Sequence, residues 1–183
     1  MKVAKKTSVT PDFEKIAEAI SRKYNAEYAD DIITDARIDW YSYLVEKKRK
    51  MADYWPELIH CQMIKIEKVP LASRPTTQIK NLCYDIFKHS EEQTVLDSAV
   101  KWMKEVAAKE PAFDTEDAYA CVLYKDGDIA DGIVFEQMAI DELLSDGKAS
   151  QKYIDGFRKK LELMKHGVRS GFCLSFNENL DYS

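Results

Sequence analysis

CVLYKDGDIADGIVFEQMAIDELL runs from Cys121 to Leu144, and its reading decides the fold. Asp126-Gly127 separates two apolar segments. Asp-Gly suits the two-residue turn of a β-hairpin, which would pair Cys121–Tyr124 with Ile129–Phe135. Gly also ends helices, because the residue after the last turn takes a left-handed conformation that a Cβ disfavours. The length of the second segment separates these readings. Its apolar pattern continues from Ile133 to Leu144, too long for one strand. The stretch therefore reads as two helices, with a small β-hairpin near 121–135 as the alternative.

Helical period dominates on both sides of it. Thr10-Pro11-Asp12 reads as an N-cap, a Pro at the first helical position and an acid in the first turn. Phe13, Ile16, Ala17, Ile20 and Tyr24 then mark one helix face. A longer helix is expected from about Asp30 to Met51, with Ile33, Ala36, Trp40 and Leu44 in its stripe. Pro56 opens the next element, where the alternation Ile64-Lys65-Ile66-Glu67 leaves a strand open. A helix resumes over Ile79, Leu82, Cys83, Ile86 and Phe87. Ser90 and Gln93 have capping-box spacing for the helix after it. That helix, Val95 to Ala107, carries the widest apolar arc and is expected to be the most buried. Asp114 is expected to cap Thr115–Tyr124. Gly147 closes the helix ending near Leu144, and Ser150 caps a last helix with Tyr153, Ile154, Phe157, Leu161 and Met164 inward. The expectation is a mainly α, single-domain bundle of about seven or eight helices over residues 1–168. Residues 169–183 would form an extended or disordered tail.

Composition supports a packed globular chain. Of 183 residues, 45% are apolar and only 6 are Gly and 5 Pro, which excludes intrinsic disorder and collagen-like sequence. A chain this long buries roughly 70% of its unfolded surface without staples. Cys61, Cys83, Cys121 and Cys173 contain no CxxC pair, so reduced thiols and a cytoplasmic location are expected. Met1 to Thr10 lacks the apolar run of a secretory signal. The uncharged run Ala118–Tyr124 falls far short of the ~20 residues that span a bilayer, so no membrane partner is expected.

The net charge of −5 conceals a segregation. Residues 111–146 hold ten acids against one base, Lys125, a net of −9. Residues 147–169 hold seven bases against two acids, a net of +5. The acidic block is a solvated face neutralised by the next helix, or a docking surface for a basic protein partner. On the second reading Asp114, Glu116, Asp117, Asp126, Asp128, Asp131, Asp141 and Glu142 are the partner-binding residues. Two basic clusters offer a secondary nucleic-acid contact. One is Lys47, Lys48, Arg49 and Lys50 beside Trp40, Tyr41, Tyr43, Tyr54 and Trp55. The other is Arg158, Lys159 and Lys160, with Lys165 and Arg169 beyond.

Motifs for chemistry are missing from the sequence. An EF-hand loop begun at Asp126 needs a ligand at Ala130, Gly at Asp131 and Glu at Gln137, and all three fail. His60, His89 and His166 lack ligand spacing with any Cys. There is no G-x-S-x-G, Walker loop or G-x-G-x-x-G. Glu91 and Glu92, grouped with Asp97 as the remaining carboxylate candidates, lie in the first turn after Ser90, where dipole compensation explains them. No catalytic residue, metal or cofactor is therefore expected. Tyr28-Ala-Asp-Asp-Ile-Ile-Thr-Asp-Ala-Arg-Ile-Asp-Trp40 resembles the helix that opens the core region of sigma-type transcription factors. No basic helix-turn-helix module follows it, so no function rests on it.

The functional expectation is a non-catalytic macromolecule-binding protein. Its concrete form is an acidic inhibitor of a host nucleic-acid enzyme, of the anti-CRISPR kind, encoded by a phage or mobile element. The alternatives are a structural adaptor or ring subunit of a phage particle, and an enzyme whose carboxylate-metal site is assembled from remote helices.

Overall fold

The computed structural model describes residues 9–47, 53–70 and 73–168. Those residues form eight α-helices and no strand. The fold is mainly α, with the helix count the apolar periodicity predicts. The described residues gather into two compact units, Met1–Arg74 and Pro75–Ser183.

The first unit contains α1 (Phe13–Lys23), α2 (Ala26–Lys47) and α3 (Trp55–Glu67). The cap of α1 is Asp12 rather than Thr10, its carboxylate accepting from the Lys15 amide at 3.0 Å. Asn25 accepts from the Tyr28 amide at 2.7 Å, which starts α2 four residues earlier than its apolar stripe suggests. Ile64–Glu67 continues α3, so the strand alternative there is not adopted. Phe13, Ile33, Trp40 and Leu44 form the buried centre, flanked by Ala17, Ile20, Tyr41, Tyr43 and Tyr54. Lys68 closes the unit by pairing with Asp30 and Asp31 at 2.5 and 2.7 Å.

The second unit contains α4 (Thr76–His89), α5 (Gln93–Lys109), α6 (Phe113–Asp126), α7 (Ile129–Asp146) and α8 (Gln151–Lys165). α6 is its axis, packed by α4, α5 and α7, and every residue from Thr115 to Tyr124 is buried. The most buried helix is therefore α6 and not α5. Ala118, Ala120 and Cys121 are small, so neighbours close in on more than one side. The run Ala118–Tyr124, too short to cross a bilayer, is what an all-round buried helix looks like. α6 begins at Phe113, so Asp114 lies inside the first turn and does not cap it. The Ser90–Gln93 capping box is also not formed. Ser90 Oγ accepts from the Glu92 backbone amide at 3.2 Å, and the Gln93 side-chain Nε2 donates to Asp97 and Asp126 instead.

At Asp126-Gly127 the chain makes a helical hairpin. Gly127 takes φ 109°, and the amides of Gly127 and Asp128 donate to the Leu123 carbonyl at 3.1 and 2.9 Å. Asp128 then caps α7. The β-hairpin alternative is not adopted, since one left-handed Gly serves a helix end equally well. The hairpin is tight. A Cβ added at Gly132 would meet the Ala120 carbonyl oxygen and the Tyr124 amide nitrogen, each at 3.1 Å. Gly147 ends α7 at φ 67°, and Ser150 caps α8, both as the sequence predicts. Ala139, Ile140 and Leu143 of α7 meet Ile154, Phe157 and Leu161 of α8 in one apolar cluster.

Candidate functional site: the acidic helical hairpin

The α6–α7 hairpin carries the acidic block, and helical phase sorts seven of its ten acids into three settings. The first is internal. Asp117 of α6, Glu136 of α7 and Lys160 of α8 are 5%, 0% and 4% exposed. Lys160 Nζ pairs with Asp117 and lies 2.6 Å from Glu136 Oε2. It also lies 3.7 Å from Cys121 Sγ. The Tyr84 hydroxyl of α4 donates to Asp117, so four helices share the cluster. One cation faces two carboxylates in a water-poor interior. Burial pushes the Glu136 carboxyl up to about 9, because a second negative charge has no solvent to hold it.

The second setting is the outer face of α7. At ~100° per residue, Ala130, Asp131, Val134, Gln137, Met138 and Asp141 fall on one side of the helix, opposite Gly132, Glu136, Ala139 and Leu143. Val134, Met138 and Leu144 are 54%, 43% and 45% exposed. Asp128, Asp131 and Asp141 are exposed among them. No Lys, Arg or His occurs between Asp128 and Asp146. Burial, and then the fields of Asp131 and Asp128, push the Tyr119 phenol upward.

The third setting is the seam between the two helices, where Glu116 is buried and Glu142 is half-buried. Burial first, and then the Glu142 charge, push the Glu116 carboxyl up.

The expected partner-binding residues therefore divide. Asp128, Asp131 and Asp141 are on the surface. Asp114 is drawn to Lys80, and Asp126 accepts from the Gln93 amide at 2.5 Å. Glu116 and Asp117 are not exposed acids: Asp117 belongs to the internal cluster with Lys160 and Tyr84, and Glu116 lies in the seam beside half-buried Glu142. Among the basic residues, Lys160 is equally misplaced by a surface reading, since it neutralises Asp117 inside the bundle. Arg158 and Lys159 are exposed, and Arg158 pairs with Asp155. Lys47 is exposed at the end of α2, while Lys48, Arg49, Lys50 and Arg169 lie outside the described residues. The aromatics beside Lys47 are packed rather than presented, with Trp40 in the buried centre of the first unit.

Glu136 and Tyr84 are the participants that composition overlooks. Glu136 and Lys160 had a legible signal: each lies in phase with the apolar stripe of its own helix. Lys160 falls between Phe157 and Met164 at spacings of three and four.

Among the described residues, no group of three His, Cys, Asp or Glu side chains could hold a metal ion. Cys61, Cys83 and Cys121 are buried thiols, and Cys173 lies outside the described residues. No described helix is long and apolar enough to cross a membrane. No protein-family model, curated protein or solved structure matches the chain.

Proposed function

We propose that this protein is a non-catalytic binding protein that docks a basic macromolecular surface on the outer face of α7. The observation that carries the reading is the composition of that face. Val134, Met138 and Leu144 supply exposed apolar contact area, and Asp128, Asp131 and Asp141 surround it with negative charge that no base on the helix offsets. Apolar anchors desolvate and hold a partner, while a charged rim steers and orients it. A single-sign acidic rim selects a basic partner. A groove that normally holds nucleic-acid phosphates has that chemistry, so an inhibitor of a nucleic-acid enzyme, of the anti-CRISPR kind, is the specific form proposed. The protein would act in the cytoplasm.

The test is affinity capture from the native host, comparing the parent chain with two variants. Val134→Ser/Met138→Ser removes the anchors, and Asp131→Lys/Asp141→Lys reverses the rim. Asp128 is left alone because it caps α7. The expected result is one basic protein, retained at low salt, released as salt rises, and lost with both variants while the melting temperature holds. Capture that neither variant changes would refute the reading. So would sedimentation of the purified chain as a closed ring through this face, which the adaptor alternative predicts.

A further inference from the structure

The seam between α6 and α7 holds two carboxylates that the outer face does not use. The hairpin register places them together. Gly132 lies against Ala120 and Tyr124, and the Tyr119 ring lies 4.5 Å from Phe135. From that contact, Glu116 is one turn along α6 and Glu142 two turns along α7, toward the same end of the hairpin. Side chains on a helix lean toward its N-terminus. In an antiparallel pair those leanings oppose, so Glu116 and Glu142 reach toward one another.

Each carboxylate leaves one oxygen unsatisfied. Oε2 of Glu116 and Oε2 of Glu142 are each buried without a hydrogen-bond partner, and Glu116 is only 7% exposed. Buried acceptors left this way are costly, and two like charges side by side add repulsion. The lysines with carboxylate partners around the hairpin are committed elsewhere. Lys80 goes to Asp114, Lys125 to Glu91, Lys148 to Asp146 and Lys160 to Asp117 and Glu136.

We infer that Glu116 and Glu142 form a socket for one lysine or arginine side chain of the basic partner, inserted at the edge of the α7 docking face. The inference rests on the proposed function for the identity of its occupant. An ammonium brings three donors and a guanidinium five, enough to satisfy both Oε2 atoms and to offset their mutual repulsion. Two carboxylates supply at most four of the six or more oxygens a divalent cation takes, so magnesium bound here would draw its remaining ligands from water, and it serves as the competing probe below.

The test uses the isolated protein, so its outcome is separate from that of the capture experiment. Carboxyl ¹³C shifts of the labelled chain are followed while Nα-acetyl-lysine methylamide is added, and again with its Nε-acetylated counterpart. Glu116 and Glu142 should respond together, with an apparent affinity about tenfold above that of Asp128, Asp131 and Asp141, a difference of about 1.4 kcal/mol. The Nε-acetylated probe should give no such preference. Glu116→Gln/Glu142→Gln keeps the shapes and removes the charges, so it should fold and lose the preferential response. If the pair titrates in step with the exposed acids, responds equally to the acetylated probe, or responds equally to magnesium ion, the socket is refuted. If the preferential response is present and capture is still indifferent to the α7 variants, the docking reading alone fails.

Discussion

Replacing Lys160 by Met tests how the buried charge cluster holds the second unit together. Met keeps most of the aliphatic stem, so the contacts along α8 survive and the ammonium alone is lost. Asp117 would keep the Tyr84 hydroxyl as a donor but lose its counter-ion, and Glu136, held neutral by burial, would lose the ammonium at 2.6 Å. Removing one partner of a buried ion pair costs about 3–5 kcal/mol, because the remaining charge has neither water nor counter-ion. For a chain of this length that corresponds to a melting temperature lower by about 6–20 °C. The pH dependence has a definite sign. Glu136 is already pushed up to about 9 in the folded chain, against an ordinary 4.5. Without the ammonium, Asp117 rises as well. The folded variant then holds protons that the unfolded chain releases, so its stability falls as pH rises through this window. The deficit against the parent should be smallest near about pH 5 and grow toward about pH 8, measured by urea unfolding followed by circular dichroism. Adding Asp117→Asn and Glu136→Leu to Lys160→Met removes all three ionisable groups and should recover most of the loss. A Lys160→Met chain within about 1 kcal/mol of the parent at neutral pH, or a deficit larger at acid pH, would refute this account of the cluster.

Three further outcomes follow from the same geometry. Glu136→Gln removes the group whose folded carboxyl is raised, so relative to the parent it should gain stability as pH rises from about 5 to 8, by at most about 1.4 kcal/mol per unit in urea unfolding. Gly132→Ala adds about 1 kcal/mol of helix propensity. It also drives a Cβ against two backbone atoms of α6 at 3.1 Å, so the net effect should be a loss of about 1–2 kcal/mol and a lower melting temperature. Cys83 is fully buried, and burial pushes its thiol up; mass-spectrometric mapping of iodoacetamide adducts should find it labelled only in denaturant.

Helix number and the ends fixed by glycine or serine were legible in the chain. Gly147 and Ser150 need only local chemistry, a left-handed carbonyl cap and a hydroxyl reaching the Tyr153 amide. Asp12 and Thr10 were harder to separate, because both flank Pro11 and either oxygen could face the first turn. Burial of α6 was not legible from its own pattern. A stripe such as Val95 to Ala107 reports one neighbour, whereas enclosure on several sides depends on where α4, α5 and α7 arrive. The net charge of a segment is blind to helix faces for a related reason. A net of −9 over residues 111–146 adds Asp117 and Glu136 to Asp131 and Asp141, although opposite faces of a helix meet opposite environments. Weighting each charged residue by its phase against the apolar stripe of its helix moves Glu136 and Lys160 indoors on sequence alone, whereas Asp117 is buried by the enclosure of α6.

That division also explains how one helix can be both anchored and available. Glu136, Ala139, Ile140 and Leu143 hold α7 against Lys160 and the apolar face of α8, while Gly132 seats it on the backbone of α6. A helix fixed along its whole inner side cannot rotate to bury Val134 and Met138. Its outer residues therefore stand exposed at set spacings, and a partner of the proposed kind would meet them without first ordering the helix. Association loses about 0.5–1.5 kcal/mol for each side chain it must immobilise, and a pre-ordered backbone confines that loss to the side chains. The buried cluster and the acidic face are in this sense one arrangement: the interior charges fix which way α7 faces, and the facing makes its acids usable. Weakening the interior at Lys160 should accordingly lower partner affinity even where Asp131, Val134, Met138 and Asp141 are untouched, at temperatures where the variant is still folded.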